Sequence, residues 1–203
     1  MGIAGCNFMK KDYLMILMRS KNTIFTTKDV SLLWQESDVN FVRKKLYRYV
    51  KTGKLFSVRK GIYTKDKNYE KYELATKIFT PSYVSFETVL ASSGVIFQFY
   101  GQVFAASYVS RQFTIEEQTY ALRKIKNSVL TNRIGIEAKN NYFIASPERA
   151  FLDVMYLNKE YYFDNLSRID WRKVDEILPI YGGNKRMGAK VKKYKERAKM
   201  GLN

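Results

Sequence analysis

Histidine is absent from all 203 residues. Without it the chain lacks the commonest general base, the usual metal ligand and any nucleophile activated by an imidazole. Cysteine is nearly absent: Cys6 stands alone. One sulfur cannot close an internal disulfide and, with no histidine beside it, cannot assemble a zinc site of the usual kind. No metal and no cofactor are therefore expected, and the expected compartment is the cytoplasm. Long apolar runs are also missing. Nothing approaches the roughly 18 consecutive apolar residues of a membrane helix, and Met1 to Cys6 has neither the basic region nor the apolar stretch of a signal peptide. No membrane partner is expected.

What is present is charge of one sign, unevenly placed. The net charge is +17. Residues 1–80 hold 17 Lys and Arg against 7 Asp and Glu, residues 81–180 hold 11 against 11, and residues 181–203 hold 8 against 1. A neutral middle between two basic ends points to a polyanion, most often nucleic acid, although an anionic membrane surface fits the charge alone. A hydrophobic share of 46% supplies ample material for a core.

Ser37 to Lys51 divides these roles most clearly. Ser37 reads as an N-cap with Asp38 in the first turn. At about 100° per residue, Val39, Val42, Leu46, Tyr49 and Val50 form one stripe. Asn40, Lys44, Tyr47 and Lys51 fall opposite, flanked by Arg43 and Arg48. An apolar side for docking and a cationic, amide-bearing side suit a helix lying in a major groove. A solvated face on an ordinary amphipathic helix is the competing reading.

Its neighbours favour the first. Asp12 caps a helix to about Arg19, with Tyr13, Leu14, Leu17 and Met18 inward and Asn22 ending it. Thr23 to Phe25 is β-prone. Thr26 or Thr27 then caps a second helix with Asp29 in its first turn and Val30, Leu33 and Trp34 inward. The third helix closes at Gly53. Two β-prone runs, Lys54–Val58 and Gly61–Thr64, flank a tip carrying Arg59 and Lys60. Three helices followed by a basic-tipped hairpin is the order of a winged helix-turn-helix, a fold that also serves as a protein-interaction module. The DNA-facing set comprises Thr27, Lys28, Asn40, Arg43, Lys44, Tyr47, Arg48 and Lys51, with Arg59 and Lys60 on the wing.

Asp66 to Thr80 reads as a connecting helix stopped by Pro81, which places the domain boundary between residues 1–80 and 81–203. In the second domain Ser85 is expected to cap a helix ending at Gly94. Strands are expected at Phe97–Tyr108, Arg111–Ile115, Thr119–Ile125, Arg133–Glu137 and Tyr142–Ile144. Ser146-Pro147-Glu148 opens a helix with Ala150, Phe151, Val154, Met155 and Leu157 inward. Asp170–Leu178 is a further short helix. From about Asn184 a last helix docks through Met187, Val191 and Tyr194, frays beyond Lys195, and adds Lys190 and Lys193 to the DNA-binding set.

Two motifs point to other chemistry. Glu137-Ala138-Lys139 at a strand end matches the metal and lysine pair of one nuclease superfamily. Its Mg²⁺ would need an acidic partner upstream, and the nearest are Glu116 and Glu117. Gly182-Gly183-Asn184-Lys185 lacks the spacing of a phosphate loop and reads as a helix break. The many tyrosines could stack on bases, but most are expected in core or half-buried sheet.

Thr52-Gly53-Lys-Leu-Phe-Ser-Val-Arg-Lys-Gly61-Ile-Tyr63, then Tyr83-Val-Ser-Phe-Glu-Thr-Val-Leu90, then Ala145-Ser-Pro-Glu-Arg-Ala-Phe-Leu-Asp153 resemble the AbiEi-type antitoxin and transcriptional regulator of bacterial abortive-infection systems. The likeness covers about residues 10–160 and does not reach the final basic helix. It implies an autorepressor on inverted repeats upstream of its own operon. It also implies a second domain that counters a nucleotidyltransferase-like toxin without a stable complex. A dimer on the DNA is one arrangement open to such a protein. The expected fold is α+β: an N-terminal winged helix-turn-helix domain, then a mixed α/β domain with a basic C-terminal helix. The expected function is repression and antitoxin activity rather than catalysis, with a Mg²⁺-dependent nuclease using Glu137 and Lys139, or a regulator with no antitoxin role, as alternatives.

Overall fold

The computed structural model describes residues 11–200. Cys6 and the Met1–Cys6 stretch lie outside the described residues. The described residues form a mixed α+β protein with two sheets, and the chain divides into two compact units between Tyr69 and Glu70.

The first unit runs α1 (Tyr13–Arg19), β1 (Ile24–Thr26), α2 (Thr27–Trp34), α3 (Val39–Lys51), β2 (Phe56–Arg59) and β3 (Ile62–Thr64). Each helix start has a local cause. Asp12 accepts from the amides of Leu14 and Met15. Thr26 and Asp29 form a reciprocal capping box. At α3 the cap is Asp38, not Ser37, because its carboxylate receives the amides of Asn40 and Phe41. The first helix closes at Ser20 rather than Asn22. Gly53, at φ 68°, ends α3 with Lys54 donating back to the Tyr49 carbonyl.

Val30 and Trp34 of α2, Val42 and Leu46 of α3, and Leu17, Phe25 and Leu55 make the core of this unit. Trp34 is its hub. Its ring meets Tyr13 edge-on at 4.9 Å, and its indole N–H donates to the Tyr13 carbonyl at 2.9 Å. Two expected core positions are exposed instead, Met18 at 38% and Val39 at 42%. Val39 is the first residue of its helix and projects past the core; Phe41 fills the half-buried flank in its place. The three strands pair antiparallel in the order β1-β3-β2. A register shift between Ser57 and Arg59 puts Arg59 opposite Ile62, so the turn is Lys60-Gly61 and Arg59 belongs to the strand.

The second unit begins with α4 (Lys71–Lys77), capped by Glu70. This corrects the connecting helix and moves the boundary back from Pro81. Leu74 and Ala75 are wholly buried, and α4 packs on the unit's own sheet. That sheet holds β4 (Ser82–Val84), β5 (Gln102–Ser107), β6 (Arg111–Ile115), β7 (Gln118–Lys124), β8 (Ile136–Lys139) and β9 (Tyr142–Ala145), in the order β6-β7-β5-β4-β9-β8. β5 pairs parallel with β7, and β4 parallel with β9; the other pairs are antiparallel.

Alternation along β4 shows that both faces are covered. Ser82 hydrogen-bonds to the Thr76 carbonyl of α4, while Tyr83 points to Asp153. Asp153 lies on α7 (Pro147–Leu157), which packs with α5 (Glu87–Ser92). Both faces of β5 are likewise covered, every residue from Val103 to Ser107 being buried.

That strand is shorter than expected, since Phe97 and Phe99 are exposed loop residues. Gly135, at φ 73°, delays β8 to Ile136. Ser85 does not cap α5: its hydroxyl donates to Asp153, and the helix starts after Phe86 at φ 56°. Leu157 is exposed. α6 (Asn127–Leu130), α8 (Trp171–Ile177) and α9 (Lys185–Lys199) are the remaining α-helices among the unit's described residues. The last helix does not fray at Lys195, because Tyr194 rests against Phe151 and Phe163 and Lys195 pairs with Asp175.

Candidate nucleic-acid interface

Val42 and Leu46 sink one side of α3 into the first core, and this fixes what the opposite side offers. Asn40, Arg43, Lys44, Tyr47, Arg48 and Lys51 are all exposed. Among the described residues, none of these six side chains makes a hydrogen bond or ion pair. Lys45, between the two sides, is instead half-buried with its ammonium 4.5 Å from the Tyr13 ring centre. The helix therefore presents four fixed cations, an amide and a phenol on one surface, with no carboxylate after the Asp38 cap.

The start of α2 and the hairpin turn meet. The Thr27 amide donates to the Gly61 carbonyl at 3.2 Å, and Gly61 takes φ 79° to make the turn. Thr27 is half-buried there; Lys28 next to it is exposed. Arg59 and Lys60 are both exposed.

The remaining two candidates belong to the second unit and differ from each other. Lys193 is exposed. Lys190 is half-buried, its ammonium donating to the Asn158 carbonyl at 2.7 Å, so it is a lining residue rather than a free surface cation. Glu137 and Lys139 sit two residues apart on β8, an edge strand, and both are exposed. Among the described residues no three Asp, Glu, His or Cys side chains gather in a way that could hold a metal ion.

Sequence reading missed the densest polar construction in the molecule. Arg149 and Asp153, one turn apart on α7, are fully buried, with Nε 3.4 Å from the carboxylate. Asp153 accepts from Tyr83 at 2.9 Å, Ser85 at 2.7 Å and Tyr181 at 2.6 Å. Arg149 donates to the Tyr83 hydroxyl at 3.0 Å and to the carbonyls of Val129 at 2.7 Å and Ile134 at 2.8 Å. The available signal was a pair of opposite charges at i, i+4 on a helix that is otherwise apolar after Glu148. Nearly every donor is used within the protein, and the site is closed to solvent, so this is a framework rather than a binding pocket.

The network has a pH consequence. Burial, with Asp153 next, pushes the Tyr83 and Tyr181 phenols well above 10.0. A group whose folded value is raised contributes stability that is complete below its unfolded value and is lost as pH climbs above it. Unfolding free energy should therefore fall above about pH 10, by up to about 1.4 kcal/mol per pH unit for each such tyrosine. Urea titrations from about pH 8 to 11 should show a shallower alkaline decline in Tyr181→Phe. A decline as steep as that of the parent would rule out this origin.

No protein-family model matches the chain, and no curated protein matches it. Among the described residues no helix is long and apolar enough to cross a membrane.

Proposed function

We propose that the chain is a sequence-specific DNA-binding repressor of transcription. In this reading the first unit is a winged helix-turn-helix, α3 enters the major groove, and the β2–β3 hairpin is the wing. The observation that carries it is the α3 surface: six exposed polar side chains on a helix anchored from behind by Val42 and Leu46. Cations and hydrogen-bonding groups on a rigid helix are what base-edge readout with flanking phosphate contact requires. The resemblance to AbiEi-type antitoxins extends the reading to an autoregulator on inverted repeats. It would be a cytoplasmic, non-enzymatic protein that opposes a nucleotidyltransferase-like toxin.

The deciding experiment is incubation of a labelled duplex from upstream of the chain's own operon, with Mg²⁺ present. Retardation of intact duplex is the expected result. Cutting that disappears in Glu137→Gln would assign the protein to the nucleases instead.

The wing has its own signature. Arg59 and Lys60 face phosphates rather than bases in this arrangement, so replacing both with alanine should weaken binding to all sequences alike. Each lost phosphate contact should lower the magnitude of the log–log salt slope by about 0.9. An unchanged slope would take the hairpin off the DNA.

A further inference from the structure

Between the end of α7 and the first turns of α9 lies a cleft of about 270 Å³. Met155, Asn158 and Lys159 line one side, and Arg186, Met187 and Lys190 the other. No carboxylate is among its lining residues. Lys159 and Arg186 make no hydrogen bond or ion pair with any described residue, and Lys190 donates to the Asn158 carbonyl. Burial, then the charge of Arg186, holds the Lys190 ammonium below the usual lysine range, with Glu160 acting the other way. Elsewhere on the same helix the need is met differently: Lys195 has a carboxylate of its own, Asp175, at 2.5 Å.

Lys159 and Arg186 are exposed and Lys190 is half-buried, and three like charges lining one concavity attract an anion to it. Arg186 and Lys190 lie in the first two turns of α9, which is 15 residues long and adds the positive end of its dipole. The cleft is smaller than the roughly 300–1,000 Å³ of sites for drug-sized ligands, which limits what it can enclose to a compact, highly charged group.

We propose that this cleft binds the phosphate group of a small polyanion, such as pyrophosphate or the terminal phosphates of a nucleotide. Lys159, Arg186 and Lys190 are its ligands, and Lys193, outside the cleft, is not. Arg186 offers a planar fork to two oxygens, while the lysines act as point charges. The same chemistry could be met by a phosphate of a nucleic-acid backbone, and the test separates the two sources. The proposal does not depend on the repressor reading.

Pyrophosphate is titrated calorimetrically into the full chain at matched ionic strength in chloride. Saturable one-to-one binding is expected. Combining Arg186→Ala with Lys190→Met should weaken it at least about tenfold, the scale of one lost charge-assisted hydrogen bond. The pair Lys192→Ala and Lys193→Ala should leave it within about twofold. Lys159→Ala, at an exposed position, tests the same cleft should the double variant fail to fold, and should weaken binding several-fold. Absence of saturation, or equal weakening by cleft and control variants, overturns the proposal. A labelled duplex without terminal phosphates provides the second arm. Unchanged duplex affinity in the cleft variant assigns the cleft to a free ligand. Parallel loss of duplex binding assigns it to the backbone and overturns the small-ligand reading.

Discussion

Arg149→Met should destabilise the second unit by about 3–5 kcal/mol, the usual consequence of removing one member of a buried ion pair. The methionine would keep most of the side chain's volume but none of its donors. Asp153 would then remain wholly buried with its charge answered only by three hydroxyls, and the Val129 and Ile134 carbonyls would lose their guanidinium donors. Asp153→Leu should also destabilise, because it leaves the buried cation without its counterion and the Tyr83, Ser85 and Tyr181 hydroxyls without their acceptor. The two effects share one network, so Arg149→Met combined with Asp153→Leu should cost much less than the sum of the singles. Urea denaturation of the four proteins measures the cycle. Single variants within about 1 kcal/mol of the parent, or strictly additive costs, would show that the pair does not hold the unit together.

That network also marks where the sequence stopped being legible. Interactions that close within three or four residues could be read directly. Asp12, Thr26 with Asp29, Ser146 before Pro147, and Asp170 all cap the helices their local pattern announced. Gly53 closes α3 by the same local logic. Ser85 had an equally good local pattern and failed, because a carboxylate 68 positions away takes its hydroxyl. Asp38 displaced Ser37 one residue on, since its carboxylate reaches both free amides. The run Asp66 to Thr80 has helical periodicity over part of its length, but periodicity does not say which unit the apolar side packs on. β5 was legible as a strand but not in its extent, which stops short of Phe97, and the covering of both its faces comes from distant elements.

The same division separates the two candidate surfaces. The α3 face lies on one continuous helix, so a 3.6-residue period reveals both its buried and its exposed sides. The cationic cleft joins Lys159 to Arg186 and Lys190 across a loop, α8 and two short 3-10 turns, which only the folded chain brings together. Lys190 and Lys193 looked equivalent as members of one basic run. Their surroundings differ, since one faces a carbonyl in a cleft and the other faces solvent.

Under the proposed repressor function, Asn40→Ala and Arg43→Ala should each reduce preference for the specific duplex over random sequence by about 1–3 kcal/mol, or roughly 5- to 160-fold. Both lie in the first turns of α3, the part of a recognition helix that reaches base edges. An asparagine can pair bidentately with adenine and an arginine with guanine, and each pairing rejects the wrong base by leaving buried polar groups unmatched. The exposed Val39 beside them adds an apolar surface suited to a thymine methyl group. Arg48 and Lys51, nearer the other end of the helix, should behave as phosphate contacts, weakening specific and random duplexes together and flattening the salt slope. The discriminating measurement is therefore a ratio, the affinity for operator over that for random duplex at one salt concentration. Asn40 and Arg43 should move the ratio; Arg48 and Lys51 should move both affinities and leave the ratio nearly fixed. If all four variants lower both affinities equally, α3 is an electrostatic anchor and sequence is read elsewhere. If none changes either affinity, α3 does not meet DNA, and its exposed face belongs to a protein partner.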